Sequence, residues 1–449
     1  MKISKPISPD LAGGFKDYLP EDMIPRQKMF DSIRSTFELF GFLPLDTPGI
    51  EKEEILTGGD ANFKMMMFKA GLRNDDEGLA LRFDLTVPLA RVMAFYSDKI
   101  EKPFKRYQTG KVWRGEKPQA GRFREFVQFD ADIVGTERMS ADAEVVALMY
   151  ETLSALKIER FLIKINNRKV LNGLPSFAGY DAKMNVDVLK SIDKLDKIEW
   201  AGVSKELTGK GLTESQISQL NKFITLDGNS AEEILTNLSV LMSDSPEALE
   251  GIAELKEIVD NLASLQVPSE FWKIDLSVAR GLGYYTGPVF ETTLLDLPSI
   301  GSVFSGGRYD DLVSRFSAQK LPAVGASIGV DRLFAALEKL SLLKKEKTTV
   351  KALILNFDKQ AEGYCQEITT SLRKIGIPTE IYLGKEDFLK EQLTYALKQE
   401  IQIVVIAGSN EMSKKVAQIK NLSARTQQEV AFEQIPEVIK AIIDSSTVA

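Results

Sequence analysis

The segment RGEKPQAGRFREF, residues 114–126, is the stretch from which the fold of this chain is most readily inferred. Arg114 and Glu116 are followed by a polar loop, and Arg122 then precedes Phe126 by four residues. A short loop with proline and glycine between strand-like runs predicts a hairpin. Because a guanidinium forks onto phosphate oxygens and a phenylalanine ring offers a face to a purine, this hairpin is suited to a nucleotide.

The hairpin lies in a strongly basic part of the chain. Residues 102–124 carry eight basic side chains and a single acid, Glu116. The basic residues are Lys102, Lys105, Arg106, Lys111, Arg114, Lys117, Arg122 and Arg124. In a chain of net charge −7, this run indicates a local positive field suited to polyphosphate or a nucleic-acid backbone. Two strands with solvated, charged outer faces are an equally good interpretation of the same run.

Polar residues alternate on either side of the hairpin. QFDAD places Gln128, Asp130 and Asp132 on one face of a strand, because side chains in a strand repeat every two residues. These positions could aim an amide and two carboxylates into one cleft. RFDLT predicts the same alternation for Asp84 and Thr86. Taken singly, each run is also typical of a half-buried strand whose polar residues face water.

A second glycine-rich stretch, ARGLGYYTG, spans residues 279–287. Gly281 and Gly283 fit the dinucleotide-binding pattern G-x-G-x-x-G, but the third glycine, Gly287, comes one residue late. A loose phosphate loop, a strand bounded by turns and a part of some other catalytic apparatus are all open interpretations of this stretch alone.

Composition excludes several kinds of chemistry. The 449 residues include no histidine and one cysteine, Cys365, so an imidazole base, a His/Cys metal site and an intramolecular disulfide are excluded. No apolar run has the length of a membrane span, and the N-terminus lacks the apolar core of a signal peptide. Because a single cysteine is typical of a reducing compartment, we expect a cytoplasmic protein. Carboxylates, arginines, lysines, tyrosines and ions held by substrates must then carry any chemistry.

The chain divides by pattern into three regions. Apolar residues at helical spacing predict a helix over 23–40, with Pro25 in its first turn, Gly41 at its end and the extended segment FLPLDTP after it. ALRFDLTVPLA, FKRYQTGKVWRG and RFLIKINN are strand-like runs. Residues 172–266 are charged and Ser-rich without convincing strands, which predicts a helical insertion. VKALILNF, PTEIYLG and IQIVVIAG alternate with amphipathic stretches, as is typical of a small α/β domain.

Five motifs in order resemble those of one enzyme family. The Arg-x-Glu, loop, Arg-x-x-x-Phe arrangement of 114–126 resembles motif 2 of class II aminoacyl-tRNA synthetases. GASIGVDRL, residues 325–333, is similar to motif 3, and the helix ending at Gly41 with the strand to Pro48 resembles motif 1, which forms the dimer interface. ARGLGYYTG and SGGRYDDLV, residues 305–313, resemble the peptides that mark histidyl-tRNA synthetases.

The resemblance covers nearly the whole chain and implies an α+β fold. It implies a catalytic core made of an antiparallel sheet flanked by helices, with a helical insertion and a C-terminal α/β anticodon-binding domain. The implied domains are the first part of the core at 1–171, the insertion at 172–266, the second part of the core at 267–342 and the anticodon-binding domain at 349–449.

The resemblance also implies residue roles in a ligase that forms histidyl-adenylate from histidine and ATP, with Mg²⁺, and then charges tRNA(His). Arg114 and Arg280 are the implied catalytic residues at the α-phosphate. The residues implied for histidine are Asp84, Leu85, Thr86, Gln128, Asp132, Tyr284, Tyr285 and Tyr309. Those implied for ATP are Arg114, Glu116, Arg122, Phe126 and Arg332. The resemblance implies that Lys117 and Gln119 contact the acceptor end of tRNA.

Elementary chemistry supports the same reaction. A substrate carboxylate is already ionised at neutral pH, so its attack on the α-phosphate needs alignment and charge cancellation rather than a general base. A homodimer without a membrane partner is expected. Gly283 stands where the family usually has an acidic or polar residue, which leaves the contact of that side chain without a counterpart here.

Three other interpretations compete. A regulatory subunit of ATP phosphoribosyltransferase has the same fold, but the retained Arg114, Arg280 and Arg332 and the C-terminal domain argue against it. The paired tyrosines and the acidic Asp132 disfavour a class II synthetase for proline or threonine. An RNA-binding or scaffold protein with an inactive site is the third, and ATP turnover separates it from the others.

Overall fold

The computed structural model describes residues 7–58, 61–71, 78–117, 123–279, 281, 284–385 and 388–447, without the side chains of 61–63, 446 and 447. The chain forms two compact units. The first comprises Met1–Lys16 and Met29–Leu343, and the second comprises Asp17–Lys28 and Lys344–Ala449.

Two sheets form the framework of the first unit. Their strands are β1 (Leu43–Pro44), β2 (Ile50–Lys52), β3 (Lys69–Ala70), β4 (Leu79–Leu81), β5 (Phe104–Trp113), β6 (Glu125–Val134), β7 (Phe161–Asn167), β8 (Trp272–Ile274), β9 (Pro288–Leu294), β10 (Phe304–Arg308) and β11 (Ala323–Gly329). The large sheet has the order β1-β5-β6-β11-β10-β9-β7-β8, and the small one has the order β2-β4-β3. Neighbours in the large sheet are antiparallel except at its two edges, where β1 pairs with β5 and β7 with β8 in parallel.

Helices surround these sheets. Those that begin before residue 344 are α1 (Pro20–Leu39), α2 (Glu53–Thr57), α3 (Ala61–Met66), α4 (Thr86–Phe95), α5 (Met139–Ala155), α6 (Arg168–Asn172), α7 (Leu174–Ala178), α8 (Asn185–Ile192), α9 (Leu195–Gly209), α10 (Glu214–Ile224), α11 (Ala231–Leu241), α12 (Pro246–Ser264) and α13 (Val330–Lys339). Short 3₁₀ turns lie at Ala182–Met184, Ser269–Phe271, Pro298–Ile300 and Val313–Arg315. No helix in the described ranges combines the length and the apolar character that a membrane crossing requires.

The two faces of β6 have different neighbours, as its alternating sequence predicts. Phe129, Ala131 and Ile133 belong to the main apolar core, and the Phe129 ring packs edge-on against Phe37 of α1 at 5.1 Å between centroids. The intervening residues, Gln128 among them, lie on the opposite face. The strand therefore separates an apolar core from a polar face.

Two of the local predictions are wrong. The first helix starts at Pro20 rather than at residue 23, so Pro25 lies inside the helix and not in its first turn. Pro20 is suited to the first helical position, because a proline there lacks only an N–H that would have no partner. The run ALRFDLTVPLA is a strand only to Leu81, and Thr86 begins α4. Asp84 Oδ1 accepts a hydrogen bond from Val87 N at 3.0 Å, which satisfies a backbone donor in the first turn of this helix.

The region 172–266 is helical, as expected, and contains no strand within its fully described residues. Several of its helices begin at side chains that accept a hydrogen bond from the first turn. Thr213 and Gln216 form a reciprocal capping box, and Ser230 and Ser245 cap the following two helices. These caps account for part of the Ser-rich composition of the region.

The second unit has its own sheet and core. Its strands are β12 (Ala352–Ile354), β13 (Thr379–Ile381), β14 (Ile403–Ile406), β15 (Val416–Asn421) and β16 (Thr426–Ala431), in the order β13-β12-β14-β15-β16. Its helices are α14 (Glu362–Lys374), α15 (Leu389–Lys398), α16 (Ser409–Lys414) and α17 (Ile435–Thr447), with 3₁₀ turns at Lys359–Ala361 and Phe432–Gln434. The β15–β16 hairpin was not predicted, because β16 is almost entirely exposed and polar. The predicted α+β class with a C-terminal α/β domain is confirmed.

Candidate active site

A cavity of about 540 Å³ opens in the first unit on the polar face of the large sheet. It is lined by strands β6, β9, β10 and β11, by residues from four connecting segments and by residues of α3, α4 and α13. The predicted site residues in its lining are Asp84, Thr86, Arg114, Glu116, Phe126, Gln128, Tyr284, Tyr285 and Arg332. Residues that are far apart in the sequence thus meet around one space.

Other predicted residues do not line the cavity. Leu85, Asp132 and Tyr309 are buried, and Lys117 is exposed. Arg280, Arg122 and Gln119 lie outside the described residues, as does Gly283.

A glycine on β11 makes room for a polar side chain of β6. Gly325 on β11 pairs with Asp132, and a Cβ atom added at Gly325 would lie 2.0 Å from Asp132 Oδ1. The glycine at this position of β11 therefore leaves space where a larger residue would push into the polar face.

A buried ion pair lies on this face. Arg106 Nη2 is 2.7 Å from Asp132 Oδ2 and also donates to the carbonyl oxygen of Leu85 at 3.2 Å. Arg106 and Asp132 are directly opposite each other on β5 and β6. The Tyr309 hydroxyl donates to the other carboxylate oxygen of Asp132, so both oxygens are held. Burial raises the pKa of Asp132, and the adjacent Arg106 charge and Tyr309 hydroxyl oppose that rise.

Asp130 is a second buried carboxyl on the same strand face. Burial raises the pKa of Asp130 to about 7, Arg106 counters the rise, and the negative charge of Asp132 adds to it. Ser327, directly opposite on β11, also lowers the pKa of Asp130 through its hydroxyl. One arginine thus faces two carboxyls, which favours retention of a proton on Asp130 near neutral pH.

The start of α4 and the segment at Tyr284 are joined by one carboxylate. Asp84 accepts a hydrogen bond from the Tyr284 hydroxyl and another from Val87 N. Burial raises the pKa of Tyr284 well above its ordinary value, and Asp84 adds to this, so the tyrosine remains a donor. The Tyr285 ring lies edge-on to Tyr284 at 5.8 Å.

The hairpin supplies an arginine and an aromatic ring to the cavity wall. The guanidinium of Arg114 lies over the Phe126 ring at 5.1 Å from its centroid, and Arg114 Nε donates to the carbonyl oxygen of Phe83 at 3.0 Å. At the start of α13, Arg332 Nη1 donates to the carbonyl oxygen of Ser302 at 2.6 Å. These backbone contacts hold two cationic groups at the cavity.

Gln128 has a fixed orientation and one unused acceptor. Its Nε2 donates to Ser327 Oγ at 2.7 Å, whereas its buried Oε1 has no partner in the part of the chain that the structure describes. A buried amide oxygen without a donor is costly. The arrangement is suited to a ligand that presents an N–H group.

Comparison with known proteins agrees with this geometry. The family model described as histidyl-tRNA synthetase matches residues 14–333 of the chain. This chain belongs to the histidyl-tRNA synthetase family. A second model, described as an anticodon-binding domain, matches residues 351–442.

Individual members of the family match over nearly their full lengths. The histidine–tRNA ligase of Clostridium tetani is 42% identical over 441 residues, which are 97% of this chain and 98% of that protein. The crystal structure of histidyl-tRNA synthetase from Nostoc sp. PCC 7120 has a TM-score of 0.86 at 34% identity and covers 97% of this chain and 100% of its own. A Bacillus halodurans structure described as an ATP phosphoribosyltransferase regulatory subunit/histidyl-tRNA synthetase has a TM-score of 0.74 at 24% identity, which shows the fold alone. The family predicted from the motifs is confirmed.

In this histidyl-tRNA synthetase family member, the two interpretations of the basic run each account for some of its residues. Arg114 lines the cavity, as the phosphate interpretation expects. Lys105 is paired with Glu144, and Lys111 lies 2.7 Å from Glu125, as expected of solvated strand faces. Arg106 fits neither interpretation, because it is fully buried.

Arg106 is the main site residue that the sequence reasoning missed. The charge pattern shows it only as one cation of a basic run, although FKRYQTG places Arg106, Gln108 and Gly110 on one strand face by the period of two. That alternation is the available signal. Ser327, which contacts Gln128, was not predicted either, because the motif 3 resemblance points mainly to Arg332.

The described residues contain no cluster of three or more acidic or cysteine side chains that could hold a metal ion by themselves. Mg²⁺ usually keeps several waters and is bound through one or two carboxylates together with substrate phosphates. Glu116 is a carboxylate in the cavity wall beside Arg114. The donor set therefore fits a magnesium ion that enters with ATP, and it does not form a separate protein cage.

Proposed function

We propose that this chain activates histidine with ATP to give histidyl-adenylate and pyrophosphate, and then transfers the histidyl group to the 3′ end of tRNA(His). The supporting observation is the single cavity that brings the motif 2 hairpin, the start of α4, the paired tyrosines and motif 3 together. Members of the family use ATP as a substrate. The residue roles below are proposals for this chain.

ATP would be bound by the hairpin and by motif 3. Phe126 would stack on adenine, and Arg114 would approach the α-phosphate from the position its contact with the Phe83 carbonyl gives it. Arg280 would approach the same phosphate from the other side, and Arg122 and Arg332 would hold the outer phosphates. Fixed cations at the position where charge develops lower the barrier without a proton transfer.

Three carboxylates line the cavity, of which Asp84 and Asp331 accept hydrogen bonds from neighbouring residues. Glu116 would be the one to meet Mg²⁺ that arrives with ATP. The ion would supply charge neutralisation of the phosphates when it is bound. The arginines of this chain would orient the α-phosphate for attack by the histidine carboxylate.

The histidine α-amino group would be bound by Asp84, Thr86 and Gln128. An ammonium group has three N–H donors, and the buried oxygen of Gln128 and the carboxylate of Asp84 are suitable acceptors. The main chain at Leu85 is held by Arg106, which positions this part of the pocket.

The imidazole would be recognised by Asp132 and Tyr285, with Tyr309 behind them. Asp132 is held by Arg106 and Tyr309, and its oxygens retain further lone pairs that could accept the ring N–H. The raised pKa of Tyr285, which follows from its burial, keeps that hydroxyl a donor for the second ring nitrogen. A site built for a ring N–H rejects side chains that lack it by several orders of magnitude.

The transfer step cannot use a protein imidazole, since the chain has no histidine. We propose that a phosphate oxygen of the adenylate takes the proton of the attacking tRNA hydroxyl. In single-turnover transfer, Glu116→Gln and Gln128→Ala should slow the reaction without abolishing it. Complete loss of transfer from preformed adenylate in either variant would point to a protein base.

The remaining features concern tRNA and assembly. Lys117 and Gln119 would contact the acceptor end of tRNA, and the domain at 349–449 would read the anticodon. Residues 1–171 and 267–342 would form the two parts of the catalytic core, and residues 172–266 would form the insertion between them. Leu39 at the end of α1 is 86% exposed and Leu43 in edge strand β1 is 58% exposed. These apolar side chains support a homodimer through motif 1. Protein synthesis places such an enzyme in the cytoplasm.

ATP–pyrophosphate exchange with each of the twenty amino acids in turn tests the proposal. Exchange driven by histidine alone, and lost in Arg114→Ala and Arg280→Ala, is the expected result. Exchange with another amino acid would overturn the pocket assignment and keep the class. No exchange with any amino acid would favour a regulatory paralogue or an inactive RNA-binding protein.

A further inference from the structure

Four consecutive residues, where β7 ends and α6 begins, lie outside the cavity, yet they contact both sides of the segment that carries the paired tyrosines. We name Asn166, Asn167, Arg168 and Lys169 the β7 junction. The two asparagines are completely buried, and Arg168 is 8% exposed. None of the four is among the residues that line the cavity. Three of these polar residues are therefore buried although they do not line the cavity, so contact with a substrate does not explain their burial.

The β7 junction holds the chain before Arg280. Asn166 Nδ2 donates to the carbonyl oxygens of Leu276 and Val278 at 3.2 and 3.0 Å. Asn166 Oδ1 accepts from Asn167 N at 2.8 Å, which fixes the orientation of the amide. Every polar hydrogen of this buried side chain is therefore used to shape the turn at 276–278.

The β7 junction also holds the chain after the tyrosines. Arg168 N donates to the carbonyl oxygen of Gly287 at 2.8 Å. Thr286 N donates in turn to the carbonyl oxygen of Arg308 at 2.8 Å. Tyr284 and Tyr285, which line the cavity, thus lie in the sequence between two places where the chain is hydrogen-bonded to the β7 junction. The first is at Leu276 and Val278, and the second is at Gly287.

The other two members contact α12, the last helix of the 172–266 region. Asn167 Nδ2 donates to Glu254 Oε2 at 2.7 Å and to the carbonyl oxygen of Gly251 at 3.2 Å. Lys169 Nζ forms ion pairs with Glu254 at 2.5 Å and with Glu250 at 2.6 Å. Glu254 is mostly buried, with 16% of its side chain exposed, whereas Glu250 is 64% exposed.

The backbones at this contact are closely packed. A Cβ atom added at Gly251 would lie 2.9 Å from Lys169 Cβ and 3.1 Å from Val170 N. Close packing of this kind leaves little freedom for α12 to shift without a shift of residues 166–169. Adjacent residues of one strand end therefore contact the insertion on one side and the cavity segment on the other.

We propose that the β7 junction is a set of positioning residues that couples α12 to the described residues on both sides of Arg280, 276–279 and 284–287, so that the contact made by Glu254 sets the rate of adenylate formation. This inference rests on the proposed function, because adenylate formation is the step being positioned. Misplacement of a reacting group by about 1 Å, even through a distant residue, can cost about 100-fold in rate.

The test uses Glu254→Gln in the full-length protein, with Glu257→Gln as the matched control. Glu257 lies on an exposed position of the same helix and loses the same charge. In histidine-dependent exchange, Glu254→Gln should lower kcat about 5-fold, with the KM for ATP within about 2-fold of the parent. Glu257→Gln should match the parent in both.

Asn166→Asp supplies the second arm of a double-mutant cycle. This change of nearly equal size replaces the donating Nδ2 group with a carboxylate oxygen that faces two carbonyl oxygens, and kcat should fall about 30-fold. If Glu254 acts through the junction, the Glu254→Gln/Asn166→Asp double variant should be no slower than Asn166→Asp alone. Asn167→Ser keeps a cap for Lys169 N and loses the contacts with α12, so it should behave as Glu254→Gln if Asn166→Asp does not fold.

Two results would overturn the inference. One is a Glu254→Gln variant whose thermal midpoint falls while kcat stays at the parent value, since that shows a packing contact only. The other is a double variant whose losses multiply. Either result with an active parent leaves the proposed function intact, whereas a parent without histidine-dependent exchange would remove the proposed function itself.

Discussion

Arg106 and Asp132 face each other across β5 and β6 with 2.7 Å between Nη2 and Oδ2, and both side chains are almost fully withdrawn from solvent. Their pairing holds the carboxylate proposed to read the imidazole and, through the Leu85 carbonyl, the start of α4. A buried charge without its partner is strongly destabilising. The pair therefore connects the stability of the first unit with the shape of the histidine pocket.

Removal of this arginine should be costly. Arg106→Met leaves Asp132 buried and unpaired, and the free energy of unfolding should fall by about 3–5 kcal/mol. Lys111→Met is the matched control on the same strand, because Lys111 is 60% exposed in its pair with Glu125, and it should cost less than about 1 kcal/mol. Urea unfolding of both variants makes the comparison, and equal losses would show that the buried pair has no special weight.

A methyl group at Gly325 should disturb the same carboxylate. In Gly325→Ala the new Cβ would lie 2.0 Å from Asp132 Oδ1 and 2.7 Å from the Ala131 carbonyl oxygen. Overpacking of this kind costs about 1–3 kcal/mol, and the KM for histidine should rise at least about 10-fold. Gly329→Ala, whose Cβ would meet only Arg332 Cβ at 3.8 Å, should leave the unfolding free energy unchanged. A normal KM in Gly325→Ala would argue against Asp132 as the imidazole acceptor.

Asp130 should give the stability a distinct pH dependence. Its pKa of about 7 lies above the ordinary value of 3.8, so the folded chain keeps a proton that the unfolded chain loses. This group therefore lowers the free energy of unfolding of the parent as the pH rises from about 4 to about 7. Asp130→Asn cannot ionise, and its stability relative to the parent should rise by about 2–3 kcal/mol between pH 5 and pH 7. Parallel pH curves for the two proteins would contradict this assignment.

Tyr284→Phe should weaken histidine binding selectively. The change removes the hydroxyl that donates to Asp84, while Val87 N continues to hold the other carboxylate oxygen. A hydrogen bond to a charged group contributes about 1.5–3 kcal/mol, so the KM for histidine should rise about 10-fold or more. The KM for ATP in the same variant is the internal control and should stay constant. A parallel rise in both constants would indicate a general distortion of the cavity.

Arg114 should contribute mainly to the rate. Arg114→Ala removes a fixed cation proposed at the α-phosphate, and kcat of exchange should fall about 100- to 1,000-fold. Arg114→Lys keeps the charge and loses the planar fork, so it should recover only part of this loss. Exchange kinetics at saturating histidine and ATP measure the difference. A fully active Arg114→Lys would show that charge alone is sufficient.

Local sequence patterns predicted several strands and helices, because the formation of these elements depends mainly on residues that are close together in the chain. The alternation in QFDAD placed Gln128, Asp130 and Asp132 on one face of β6, and the charged, Ser-rich composition of 172–266 agrees with its helices. The same local reasoning failed at Thr86. There a carboxylate at Asp84 starts a helix, and a short apolar run does not distinguish a strand from a helix.

The sequence by itself determined the family, the fold class and nine of the residues that line the cavity, because the motifs keep their order and spacing along the chain. Only the tertiary structure decided what each polar residue faces. Strand register places Arg106 and Gly325 on either side of Asp132, and it is set by pairing between residues that are far apart in the chain. Burial then turned one charge of a basic run into the partner of a carboxylate, because a charge withdrawn from water requires an opposite charge beside it.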